Sequence, residues 1–157
     1  MRIAIESPDQ PEVIGLIADL DAYQDTLYPA ESRYALDLES LKKPNVRFAV
    51  ARDDSGVAIG CGAVVLYEGY GELKRMYVRE HSRGQGVAGR VLALLESSAG
   101  QAGYSVFTLE TGPCQPEALA FYARSGYERC ERFGDYPDDP NSVFMRKQTG
   151  SGKASSS

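Results

Sequence analysis

The stretch from Tyr77 to Glu96, YVREHSRGQGVAGRVLALLE, decides how the rest of this chain is read. It sets Arg79, Arg83 and the glycines Gly84, Gly86 and Gly89 between an apolar run that suits a strand and one that suits a helix. Gly84 and Gly86 lack a Cβ, so the backbone can bend sharply there and let a ligand approach. The first amides of the following helix have no internal acceptor, and the helix dipole adds partial positive charge at the same end. A strand, a bare turn and a helix start together make an anion cradle, and the two arginines suit it to a phosphorylated ligand.

Reading outward, Val87, Val91, Leu94 and Leu95 fall on one helix face, with an end predicted near Gly100 or Gly103. YSVFTLET follows as a buried-looking strand, so strand, helix and strand form a crossover with parallel neighbours. Upstream, NVRFAVA and VAIGCGAVVLY flank the turn signal RDDSG, and YGELKRMYV follows another glycine turn, predicting an antiparallel meander. The strand from Glu72 to Val78 lacks clean alternation, as expected of a bulge beside a ligand. At the start, RIAI reads as a strand. Val13, Ile17, Leu20 and Leu27 then mark an amphipathic helix with Asp9 as its expected N-cap and Glu12 three residues on. PAESRYALDLESLKK predicts a shorter second helix, stopped by Pro44. QPEALAFYARSG is a further helix with Pro116 in its first turn and Gly126 past its end, and YERCERF and SVFMRK are final strands around GDYPDDPN. One domain is expected over residues 1–147, with 148–157 as a disordered low-complexity tail.

Composition bounds the function. At 157 residues the chain has room for one sizeable core. A net charge of −5 argues against general nucleic-acid binding, which needs surplus Lys and Arg, so any anion site must be local. The opening residues show no signal-peptide core and no apolar run reaches membrane-spanning length, which makes the cytoplasm the expected compartment, without membrane association. Cys61, Cys114 and Cys130 lack zinc or CxxC spacing, so free thiols and no metal are expected.

Two phosphate motifs overlap in the opening stretch. Gly84 to Gly89 matches GxGxxG, and Glu110 stands where a dinucleotide fold wants a ribose-binding acid. That fingerprint begins directly at a strand end, whereas REHSR intervenes here, and too little chain remains for a doubly wound sheet. The other pattern, Arg83-x-x-Gly86-x-Ala88, is loose enough to arise by chance in roughly one chain in seven of this length. Its setting adds weight: after ELKRMYV, before an amphipathic helix, and upstream of a second strand and ALAFYARSGY, it resembles the GNAT superfamily of acyl-CoA N-acyltransferases over Arg2 to Lys147. The resemblance implies an α/β (α+β) fold: a mixed sheet of about six or seven strands, an antiparallel N-terminal meander, a parallel central βαβ unit and about four flanking helices.

The resemblance also implies acetyl-CoA as co-substrate and assigns residues to it. Its pyrophosphate is expected on the turn Arg83, Gly84, Gln85, Gly86, Val87 and Ala88, and its pantetheine arm along Met76, Tyr77 and Val78. Gln115 stands where many members have Asn before the second helix, and its extra methylene moves the amide. Acyl transfer to an amine needs a neutral nucleophile, and an alkylammonium with pKa near 10.4 is neutral in roughly one molecule in a few thousand at pH 7. Glu72 matches the strand position of a catalytic glutamate in several members, and Tyr122 matches the helix tyrosine beside the leaving sulfur. His81 has a suitable pKa but sits in the turn loop, and the Met76 amide is the expected oxyanion donor. Acceptor contacts are expected from DTLYPAESRY and GDYPDDPN, namely Tyr28, Glu31, Arg33 and Tyr136, with Asp138 and Asp139 attracting a cationic amine. The acceptor is expected to be a small-molecule amine, and the assembly admits a homodimer. A protein N-terminal or lysine acetyltransferase and a non-catalytic acyl-CoA-binding module are the competing readings.

Overall fold

Period-two alternation and short turns build the antiparallel half of the sheet. The computed structural model describes residues 1–32 and 36–149. β1 (Arg2–Ile5), β2 (Val46–Arg52), β3 (Ala58–Leu66) and β4 (Gly71–Val78) each run antiparallel to the next. The β2–β3 turn closes because Asp53 Oδ1 accepts from the amides of Ser55 and Val57, both at 2.9 Å, which is the local Asx chemistry that RDDSG announces. α3 (Val87–Gln101) crosses to β5 (Val106–Thr111), which pairs parallel with β4. α4 (Pro116–Arg124) leads to the two-residue strand β6 (Glu128–Arg129), and β7 (Val143–Gln148) returns antiparallel between β5 and β6. The sheet order is β1-β2-β3-β4-β5-β7-β6, the mixed sheet expected from the sequence.

Alternate residues sort the sheet into two cores. Phe48 and Val50 of β2, with Ala58, Cys61 and Ala63 of β3, pack against Val13, Leu16 and Ile17 of α1 (Pro11–Asp25). Ala49, Ala51, Val64, Leu73, Phe107 and Leu109 face the other way, toward Val91, Leu92 and Leu95 of α3. Each buried Leu or Val side chain contributes about 1.5–3 kcal/mol relative to exposure.

The expected bulge is present, at Arg75. The β3–β4 register shifts between Cys61 and Ala63, and Arg75 takes φ 58°, left-handed geometry that costs a non-glycine residue about 1–2 kcal/mol. Its guanidinium offsets this by donating to Leu36 O (3.0 Å) and to Asp21 Oδ1 (2.6 Å) of α1. The extra residue reverses the strand's phase, so Leu73, Met76 and Val78 all pack with the α3 core while Tyr77 packs with the α1 core. Gly62 leaves room for this change, since a Cβ there would overlap Met76 Sδ.

Some local details differ from the sequence reading. α1 is capped by Gln10, not Asp9; Pro11 opens the helix, the cap makes no side-chain bond, and Asp9 instead pairs with Lys42 at 3.3 Å. The second helical segment divides into a 3₁₀ turn, Ala30–Ser32, and the single turn α2 (Leu38–Leu41), capped by Asp37 through Ser40 N at 2.9 Å. YERCERF yields only two paired residues, because Phe133 leaves the sheet edge to stack edge-on against Tyr70, Tyr136 and Phe144.

Candidate active site

The parallel pairing of β4 with β5 stops at Leu73↔Leu109, although both strands run on. Past that point they splay, and the edge groups of β4 face a gap instead of a partner. Two cavities meet at this gap. One is a cleft of about 420 Å³ between the α3 start and α4, bordered by Met76, Tyr77, Val78, Gly86, Gln115 and Tyr122. That volume lies in the range of small-molecule sites, about 300–1,000 Å³. The other is a chamber of about 130 Å³ bordered by Lys74, Met76, Glu110, Gln115 and Tyr122. Met76, Gln115, Ala118 and Tyr122 line both, so a group reaching through the cleft arrives in the chamber.

The turn at the cleft mouth has the conformation its glycines suggest. Gly84 and Gly86 adopt φ 82° and 78°, and open space surrounds the position a Cβ would take on each. Their glycine identity is therefore demanded by backbone angle and not by packing. Gly86 caps α3 without a side-chain bond, and the amides of Val87, Ala88 and Gly89 have no acceptor among the described residues. Arg83 borders the cleft, donates Nε–H to Val78 O at 2.9 Å, and lies 5.8 Å from the ring centroids of both Tyr23 and Tyr77. Arg79 is spent elsewhere, on Ala58 O and on Asp19 of α1. Gln85 and His81 are exposed beside the turn.

On α4, spacing of three and four residues brings Gln115, Ala118 and Tyr122 to one face over the gap. The Tyr122 ring is buried against Phe121 and Tyr127, with centroids at 5.1 and 5.8 Å. Its hydroxyl has no partner among the described residues, yet none of their buried side-chain oxygens is unsatisfied, so it opens onto the cavity. Burial raises its pKa, keeping the phenol protonated as a donor.

Glu72 is 3% exposed, and its Oε2 accepts from the Tyr136 hydroxyl at 2.5 Å and pairs with Lys74 Nζ at 3.3 Å. Lys74 also donates to the Tyr136 hydroxyl and lies 4.8 Å from the centre of that ring. Glu72 and Tyr136 border a third cavity, of about 430 Å³, beside Tyr67, Tyr70 and Pro137, which Lys74 shares with the chamber. Tyr28 lines the chamber, while Glu31 and Asp138 are exposed and border none of these spaces. Asp139 caps its own loop through Asn141 N at 2.8 Å. Arg33 lies outside the described residues.

The acid that borders the chamber is Glu110, which sequence reading considers only as a ribose ligand. Its Oε2 accepts from Ser142 Oγ at 2.7 Å, and Oε1 has no hydrogen-bond partner among the described residues. Burial raises its pKa, opposed by the Ser142 bond and by Lys74. The signal available in sequence is parity: Phe107 and Leu109 are apolar, which sends Thr108 and Glu110 to the opposite face.

The Acetyltransferase (GNAT) family model matches residues 14–127. The chain belongs to that family. This GNAT protein is accordingly an acyl-CoA-dependent N-acetyltransferase that uses acetyl-CoA as co-substrate. A relative from Azospirillum brasilense named IAA acetyltransferase is 47% identical over 149 residues, covering 94% of this chain and 97% of its own. A Klebsiella pneumoniae structure described as an acyl-CoA N-acyltransferase superposes with TM-score 0.80 at 40% identity, covering 94% and 96% of the two chains. A PaiA N-acetyltransferase from Thermoplasma acidophilum, crystallised with coenzyme A, shares the fold at TM-score 0.71 and 17% identity, covering 95% and 100%. Among the described residues no cluster of His, Cys, Asp or Glu could hold a metal ion, and no helix is long and apolar enough to cross a membrane.

Proposed function

We propose that this GNAT enzyme acetylates a primary amine of a small molecule by direct attack within a ternary complex. The observation that carries the reading is the continuity of cleft and chamber through the β4–β5 gap, with Tyr122 shared by both and Glu110 bordering the chamber. The amides of residues 84–89 and Arg83 hold the pyrophosphate, and Met76 to Val78 guide the pantetheine arm to the gap. In the chamber the amine nitrogen bonds to the thioester carbonyl carbon while Glu110 takes a proton from that nitrogen. The Met76 amide is the proposed donor to the developing oxyanion. Cleavage of the carbon–sulfur bond sends the electron pair to sulfur, and the Tyr122 hydroxyl supplies its proton.

Glu72, the expected base, engages Lys74 and Tyr136 through Oε2 and borders the third cavity instead of the chamber, so in this reading it ties the loop carrying Tyr136 to β4 while Glu110 faces the amine. The chamber, about 130 Å³, suits the slender end of an alkylamine. The relative named for IAA acetylation supports a small-molecule acceptor without naming this one. A thiol-release assay with acetyl-CoA tests the reading against a panel of free amines and lysine or N-terminal peptides. Faster turnover of free amines supports it. Preferential turnover of peptides transfers it to the protein acetyltransferases, and coenzyme A binding without acetylation of any amine makes the chain a sensor.

A further inference from the structure

Tyr28 arrives from the connector after α1, on the acceptor side, yet its hydroxyl is spent on the cofactor side. It accepts the amide of Cys114 at 3.1 Å and donates to Gln115 Oε1 at 3.2 Å, joining segments 86 and 87 residues apart in sequence. The ring edge lies directly on Gly112, where a Cβ would overlap the tyrosine hydroxyl and ring. Tyr28 is 7% exposed, and burial holds its phenol protonated, its pKa pushed up to about 12.

A hydroxyl has one proton to give, and with Cys114 N–H occupying an acceptor position that proton goes to the Gln115 oxygen. The Gln115 side-chain amide is thereby turned with its oxygen toward Tyr28 and its NH₂ away. That NH₂ has no acceptor among the described residues, and Gln115 borders both the cleft and the chamber. Gln115 is also the N-cap of α4 without a side-chain capping bond, so its own helix does not fix the amide. We propose that Tyr28 is a positioning residue that aims the Gln115 NH₂ at a carbonyl oxygen of the pantetheine arm. This rests on reading the cleft as the acetyl-CoA site. It gives the Gln115 side chain a fixed direction.

Tyr28→Phe keeps the ring on Gly112 and removes only the hydroxyl. Calorimetry with coenzyme A is expected to show affinity weakened about five- to tenfold, the worth of one well-aimed hydrogen bond. The KM for acetyl-CoA rises by the same factor with a smaller change in kcat, and the acceptor KM stays where it was. Gln115→Glu keeps an acceptor for Tyr28 but loses the NH₂ donor, and is expected to weaken binding at least as much. Tyr28→Phe added to Gln115→Ala weakens binding no further than Gln115→Ala alone. A rise in acceptor KM with unchanged coenzyme A affinity overturns the proposal, as do losses that multiply in the double variant. If the parent protein binds no coenzyme A, the cleft assignment falls and takes this proposal with it; a parent that binds while both single variants match it sinks the positioning role alone.

Discussion

Replacing Gly86 with valine separates folding from cofactor binding, because the structure assigns a different magnitude to each. A Cβ at Gly86 meets no atom within 4 Å, so the added Cβ overpacks nothing. What remains is the backbone angle: at φ 78° a side chain costs about 1–2 kcal/mol, at the upper end for a β-branched residue. For a chain of this size each kcal/mol lowers Tm by about 2–4 °C, so thermal unfolding followed by circular dichroism should shift down by about 4–8 °C. Binding is hit harder. If the turn relaxes or the methyls enter the phosphate space, two charge-assisted hydrogen bonds worth about 1.5–3 kcal/mol each are lost, or roughly 10²–10⁴-fold in the coenzyme A Kd. Calorimetry with coenzyme A measures that directly. A Gly86→Val protein that melts a few degrees lower and still binds coenzyme A within threefold of the parent would refute the anion cradle.

Tyr122→Phe preserves the ring contacts and should lower kcat by roughly 10²-fold or more while leaving the coenzyme A Kd nearly unchanged, as read by steady-state kinetics and calorimetry. Glu110→Gln should cost about 10²–10⁴-fold in kcat and remove the rise of rate with pH that accompanies deprotonation of the native carboxyl. Its effect on stability has the opposite sign. The folded pKa of Glu110 lies above its ordinary value, so the native carboxyl loses stability as pH rises from the ordinary carboxyl range through the folded pKa, and the glutamine variant should gain relative stability over that window in urea melts. Arg52→Ala strips the partner that donates to Glu6 at 2.8 and 3.1 Å and to Glu12 at 3.1 Å, and should destabilise the fold by about 2–4 kcal/mol. The Glu6 pKa is lowered, chiefly by the Arg52 hydrogen bond, so that stabilisation is present above the ordinary carboxyl pKa and fades as pH falls through the folded one; the gap between parent and variant should close in acid.

Which parts of this design are legible in the residues follows from how local each cause is. The glycine turn can be read from GQG because left-handed backbone angles are a property of individual residues, and Gly84 and Gly86 adopt them. The bulge shows as broken alternation in ELKRMYV, but not its position: placing it at Arg75 depends on Asp21 and Leu36, which come from elsewhere in the chain. Glu72 and Lys74, two apart on one strand, share a face, so their pairing is available to a sequence reading. That this pair also takes Tyr136 is not, because the contact spans 64 residues. Glu110 is legible as facing away from Phe107 and Leu109, whereas its place beside the chamber depends on where two strands stop pairing.

Taken alone, the residue order determined the strands, the crossover helix and the glycine turn with its unpaired amides, since each answers to periodicity, glycine angles or unpaired first-turn amides within a short stretch. Only tertiary structure decided which carboxylate borders the chamber and which tyrosine bonds the Gln115 side-chain amide. Those roles are set by the divergence of β4 from β5 after Leu73 and by a phenol reaching across to the turn before α4. Both are distances between residues far apart in the chain, fixed by packing and absent from any local pattern.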